Sequence, residues 1–142
     1  MIMKKPERYY TLEEATALIP VLDSRIRHLI AKKEIYDRRH DSAFMHELIT
    51  EAEKVSGGTS ASAKEEVERD YISLEEDLLD LQREASKITQ LGCLIQGLET
   101  GWVDLPGIRN GEFIYFCWKS GDASIRFYRP YESKADQRFP LE

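Results

Sequence analysis

The segment Gly101-Trp102-Val103-Asp104-Leu105-Pro106-Gly107 is where the residue types come closest to chemistry. Asp104 sits between apolar neighbours, just ahead of a proline turn. One reading is a turn carboxylate that accepts backbone N–H bonds before Pro106 and Gly107. The other is a charged group held at the rim of a pocket with Trp102, Trp118, Asp122 and Arg126, where burial would perturb its proton affinity. The candidate ligand-binding set is therefore Asp104, Trp118, Asp122 and Arg126.

Other chemistry-bearing residues point elsewhere. His40 and His46 are six apart, so they lie about 120° from each other around a helix. His28 lies twelve residues before His40, more than three turns away. Helical ligands to one ion usually stand three or four apart, so no metal site is expected. Cys117 lies in an apolar run beside Trp118, which suits inert packing better than an activated thiolate. Cys93 and Cys117 form no Cys-x-x-Cys pair and are too few for a disulfide framework. There is no Gly-x-Ser-x-Gly, no phosphate-binding glycine loop and no His-Glu-x-x-His. No cofactor is implied. Arg126, Arg129, Lys134 and Arg138 interleave with Phe127, Tyr128, Tyr131 and Phe139, a mixture that can bind single-stranded nucleic acid. Asp122, Glu132, Asp136 and Glu142 bring that stretch to neutrality, so cation–π packing of the tail on the sheet is the better account.

These residues must be positioned by a helical half and a β half. Thr11-Leu12-Glu13-Glu14 is a capping box, with Tyr10 ahead of it as a hydrophobic staple. Pro20 is too deep for the first turn of that helix, so a short helix over Leu12–Leu18 is expected, then a kink or restart. Leu22, Ile26, Leu29 and Tyr36 continue the apolar series, followed by Phe44, Leu48, Ala52 and Val55. Ser56-Gly57-Gly58 ends it. Thr59-Ser60-Ala61-Ser62 is the turn, and Ser62-x-x-Glu65 a second capping box. Val67, Tyr71, Leu74, Leu78, Leu81, Ala85 and Ile88 step by four and three, a heptad seam. Gly92 can close the helix. At ~1.5 Å per residue the helices would be roughly 54 and 44 Å long, matched for an antiparallel hairpin. Beyond it, Cys93–Leu98 and Ala123–Arg129 read as strands, and Glu112–Lys119 is the clearest. Asn110-Gly111 is a hairpin signal and Ser120-Gly121-Asp122 a turn.

The expected fold class is α+β: a long antiparallel helical hairpin, with a short kinked N-terminal helix, followed by a small antiparallel β-meander. The 142 residues fit one domain, with the hairpin over 11–92, the meander over 93–130 and an irregular tail over 131–142. The net charge of −6 disfavours nucleic acid and anionic membranes. Asp23–Arg39 carries six basic residues against three acidic, and Lys64–Lys87 nine acidic against four basic. Helices of net +3 and −5 suit each other better than they suit an outside polymer. No apolar run approaches the ~20 residues that span a bilayer, and Met1–Arg8 lacks a signal peptide's apolar stretch. A cytoplasmic location with reduced thiols is expected.

The order of features resembles the bacterial domain of unknown function 2203 family. The likeness rests on Tyr10-Thr11-Leu12-Glu13-Glu14-Ala15 with Pro20, on Gly101-Trp102-Val103-Asp104-Leu105-Pro106, on Gly111 and Phe116-Cys117-Trp118-Lys119, and on Gly121-Asp122, Ile125 and Arg138-Phe139-Pro140. The family often has a histidine after an aromatic in the last strand, where this chain has Tyr128-Arg129. The resemblance implies a fold and a bacterial origin and no reaction. The leading expectation is a non-enzymatic interaction or scaffold protein, dimeric through the hairpin, because one hairpin cannot cover its own seam. The rival is a small-molecule-binding protein or enzyme with a pocket between helices and meander.

Overall fold

A computed structural model describes residues 8–58, 61–134 and 136–141. The elements are α1 (Leu12–Ala17), α2 (Ile19–Val55), α3 (Ala61–Thr89), β1 (Leu94–Gly97), β2 (Trp102–Arg109), β3 (Glu112–Lys119), β4 (Phe127–Pro130) and β5 (Phe139–Pro140). Long helices followed by an antiparallel sheet in the order β1-β2-β3-β4-β5 are the α+β fold expected. The chain divides into two compact units, residues 31–83 and residues 1–30 with 84–142. The N-terminal segment read against a signal peptide falls mostly on residues 1–7, outside the described residues, as do Thr59 and Ser60 of the expected turn.

Residues 31–83 hold the turn end of the hairpin. Lys32 reaches Asp80 at 2.7 Å and Arg39 reaches Asp77 at 2.8 Å. His46 Nδ1 meets Asp70 at 2.9 Å. As the α2 partner advances, the α3 partner recedes, so the helices are antiparallel and their opposite charges face each other. Gly57, with φ +81°, closes α2. The Gly58 N–H donates to the Glu53 carbonyl at 2.9 Å and that of Gly57 to Lys54 at 3.0 Å, completing a Schellman motif. The second capping box is not formed as read: α3 already begins at Ala61, so Ser62 lies inside its first turn. The hydrophobic seam is also thinner than its periodicity implied. Leu74 is buried, but Leu78 is 42 % exposed, and Phe44, Leu48 and Val55 of α2 are exposed outright.

The other unit holds the sheet and most of the core. The Thr11 box forms, with Glu14 N–H donating to Thr11 Oγ1 at 3.1 Å and Thr11 N–H to Glu14 Oε1 at 3.0 Å. These hydrogen bonds hold the Glu14 carboxyl below its ordinary value. The chain restarts at Ile19, so Pro20 falls in the first turn of α2, where its missing N–H costs nothing. Leu22, Ile26, Leu29 and Ile88 are buried in this unit. Tyr10 does more than staple α1. Its N–H donates to the Pro106 carbonyl at 2.8 Å and its carbonyl accepts from Ile108 N–H at 3.1 Å, a parallel bridge to β2.

β2 is the main correction to the sequence reading. The segment taken as a proline turn is an eight-residue strand with Asp104 at its third position. Pro106 is accommodated because its ring nitrogen faces the Tyr10 flank, where β1, paired with Asp104 through Leu94, has already ended. Asn110 (φ 51°) and Gly111 (φ 79°) form the two-residue turn into β3, as expected of Asn-Gly. β4 begins at Phe127, four residues later than read, and includes Pro130, whose nitrogen lies on the β5 side beyond the last β5 pair at Tyr128. The tail read as irregular ends in β5.

Gly107 is required for space. A Cβ there would lie 2.3 Å from Phe116 Cε2 and 2.5 Å from Cδ2, and the Phe116 ring is itself buried. Gly107→Ala is expected to cost roughly 1–3 kcal/mol by overpacking. Denaturant titration should show that loss partly relieved when Phe116→Leu is added.

Candidate functional site

The β2–β3 register fixes which side chains share a face. Asp104 lies opposite Cys117, Pro106 opposite Tyr115 and Trp102 opposite Lys119. Across β3, Tyr115 pairs with Arg129 and Cys117 with Phe127. Facing residues in an antiparallel pair point the same way, so Trp102, Asp104, Tyr115, Cys117, Phe127 and Arg129 occupy one face. Val103, Leu105, Ile114, Phe116 and Trp118 occupy the other, which is apolar and buried.

Asp104 is 0 % exposed and Arg129 4 %. Arg129 Nε donates to Asp104 Oδ2 at 2.9 Å, and Arg129 Nη2 approaches the same oxygen at 2.9 Å. Gln96 Nε2 adds a third donor to Oδ2 at 2.8 Å. Oδ1, also buried, has no hydrogen-bond partner among the described residues. Arg129 Nη1 donates to the Ser133 carbonyl at 2.9 Å, and its guanidinium carbon stands 4.4 Å over the Tyr115 ring. A carboxylate and a guanidinium can share so dry a place only as a paired, hydrogen-bonded unit.

The tail is laid on this face. Tyr131 stacks on Tyr115 with centroids 5.4 Å apart, and Arg138 stands 4.0 Å over Trp102. Phe127 meets Trp102 edge-on at 5.9 Å. The cation–π account of the basic-aromatic tail therefore describes what Arg129 and Arg138 do.

The four residues nominated from sequence do not converge. Asp104 and Trp118 are on opposite faces, and the Trp118 indole donates to the Asp122 carbonyl at 2.8 Å, a bond that closes the turn after β3. Arg126 is exposed, its carbonyl accepting from Leu141 N–H at 3.0 Å. The cation that meets Asp104 is Arg129, at the position where the resembled family often has histidine. Arg129, Gln96 and Tyr115 were missed as its companions.

Both thiols are free and 1 % exposed. Burial first and the Asp104 charge second push Cys93 from its ordinary value of 9.0 to about 12, and Cys117 likewise to about 12. Such thiols are poor nucleophiles. Native protein at pH 8 should resist alkylation at both positions, and unfolded protein should react at both. A thiol that keeps its proton longer when folded favours the fold below pH 9. Between pH 9 and about 12 the unfolded chain alone would ionise, so stability should fall across that window. A Cys93→Ala/Cys117→Ala variant should show a flatter profile in pH-dependent denaturation.

Within residues 31–83, His46 Nδ1 faces Asp70 at 2.9 Å and Nε2 faces Glu66 at 3.6 Å. A groove of about 250 Å³ lies beside them, lined by Arg39, Ser42, Ala43, Asp70, Ser73 and Leu74. Among the described residues no group of three or more His, Cys, Asp or Glu is placed to hold a metal ion, and no helix is long and apolar enough to cross a membrane.

No curated protein and no solved structure matches the chain. The model of one family, described as Uncharacterized conserved protein (DUF2203), matches residues 8–141, nearly the whole chain, and the chain belongs to that family.

Proposed function

We propose that this DUF2203 member is a non-enzymatic interaction protein of the cytoplasm that acts as a homodimer, with its hairpin as the self-association surface. The observation that carries the reading is a stripe on α2: Phe44, Met45, Leu48 and Ile49 are each at least half exposed, and Val55 is 90 % exposed. At 100° per residue the stripe centres about 170° around the helix from Lys32, Ala43, Arg39, His46 and Thr50, the side turned to α3. Among the described residues of 31–83, only Ala43, Thr50 and Leu74 are buried. Two helices with so little core favour a second pair. A stripe along one helix is complementary to itself across a twofold axis, so a second copy needs no other surface. The cytoplasmic assignment rests on the two buried, free thiols. Light scattering across a concentration series tests the reading: a dimer mass is expected, and a clean monomer at high micromolar concentration would sink it.

A further inference from the structure

Trp102 is approached by two cations. Arg138 Cζ is 4.0 Å from the ring centroid and Lys119 Nζ is 5.9 Å from it. Lys119 is there because it lies directly opposite Trp102 in the β2–β3 register. Arg138 is there because the tail returns over the face and pairs as β5 immediately afterwards. Neither cation has a carboxylate within ion-pair distance among the described residues. Asp136, two residues before Arg138, is exposed and makes no ion pair there. Asp104 is on the same face, but its Oδ2 is already committed to Arg129 and Gln96. Its Oδ1 has no hydrogen-bond partner among the described residues. Arg138 Nε is buried and has no hydrogen-bond partner among the described residues.

That combination is costly as it stands. Two like charges converge on one indole, and a buried guanidinium N–H makes no bond, whereas buried polar groups are normally satisfied. The ring's negative face offsets part of the repulsion but cannot accept the Nε hydrogen bond in the guanidinium plane. An oxyanion in that plane would do so, and the flexible Lys119 side chain is near enough to the same ring to add a second charge. Guanidinium groups favour phosphate and carboxylate oxygens for this geometry.

We propose that Arg138 and Lys119, on the Trp102 platform, form a binding site for a small oxyanion-bearing ligand of the phosphate-ester class. Arg138 supplies the buried N–H and the planar charge, and Lys119 a mobile second charge. Trp102 holds both at the end of the β2–β3 ladder. Three cations, Arg129, Arg138 and Lys119, stand against one carboxylate, Asp104, so the cluster balances a dianion better than a monoanion. This site lies on the sheet and is independent of self-association by α2.

Inorganic phosphate is the probe. The Trp102 indole N–H resonance should shift saturably as phosphate is added, while that of buried Trp118 stays put. Sodium chloride at matched ionic strength should not reproduce the shift. Lys119→Gln changes an exposed side chain and should fold normally, weakening binding severalfold. Arg138→Gln should weaken it at least about tenfold, one charge-assisted hydrogen bond's worth, and Arg138→Lys should recover only part. Acetate at the same concentration should bind more weakly than phosphate. No saturable shift, a shift equally produced by chloride (an adventitious ion only), or binding unchanged in folded Lys119→Gln and Arg138→Gln would overturn the site.

Discussion

Arg129→Met is expected to lower the unfolding free energy by about 3–5 kcal/mol, the range for removing one partner of a buried pair. The substituted side chain matches the arginine stem in volume, so packing changes little. What changes is the electrostatics around Asp104. Two of the three donors on Oδ2 disappear, leaving Gln96 at 2.8 Å, while Oδ1 already has none. The carboxylate remains 0 % exposed and cannot recover hydration. The Ser133 carbonyl loses Nη1, and Tyr115 loses the cation over its ring. Against a typical total of about 5–15 kcal/mol, the loss is a fifth or more. Asp104→Leu should be similarly damaging, because it leaves the guanidinium buried and unpaired. The double variant Asp104→Leu/Arg129→Met should regain much of the loss, since two apolar residues make no unmet demand. Denaturant unfolding of the four proteins gives the coupling energy directly. An Arg129→Met cost below about 1 kcal/mol would mean that the pair is not what holds the tail on the sheet.

How far this cluster was legible follows from the strand rules. The helices and β3 were readable because each carries its own punctuation: the Thr11 box, Gly57-Gly58, and Asn110-Gly111 ahead of an apolar run. β2 was hidden. It is buried on both faces, so it lacks alternation, and it carries a proline and a glycine that read as a turn. Nothing local says that Pro106 faces the flank where Tyr10 N–H donates to its carbonyl and no N–H of its own is needed. Once β2 is granted, the two-residue Asn110-Gly111 loop sets the register by itself. Arg109 faces Glu112, so Asp104 must face Cys117, and Trp118 must point the other way. The partner cation was missed for a related reason. Starting the last strand at Ala123 made Arg126 the natural choice, but Arg126 and Arg129 are an odd number apart and alternate in direction. Irregular backbone up to Arg126, tied by Leu141 N–H, leaves only Arg129 in the strand. The family model spans this whole region, but the pairing is a tertiary fact that no single segment encodes.

Leu48→Glu with Ile49→Glu is expected to convert the proposed dimer into a monomer while leaving the fold intact. Both side chains are 51 % exposed, so a charge placed on either stays hydrated in the isolated chain. Exposed substitutions of this kind usually change stability by no more than about 0.5 kcal/mol. In a dimer closed by a twofold axis each substitution occurs twice, so four carboxylates would enter one apolar contact, where a desolvated, unpaired charge is far costlier than a lost methylene. Association should therefore fall by orders of magnitude with little change in the circular dichroism spectrum. A contrasting pair separates the interface from the fold. Leu74→Glu puts the same charge at a site only 5 % exposed, inside the hairpin, and should unfold residues 31–83 whatever the oligomeric state. Sedimentation velocity on the three proteins reads the outcome. If Leu48→Glu/Ile49→Glu keeps a dimer mass, the α2 stripe is not the interface, and Ile72 and Leu79, at 57 % and 52 % exposure on α3, become the surface to test.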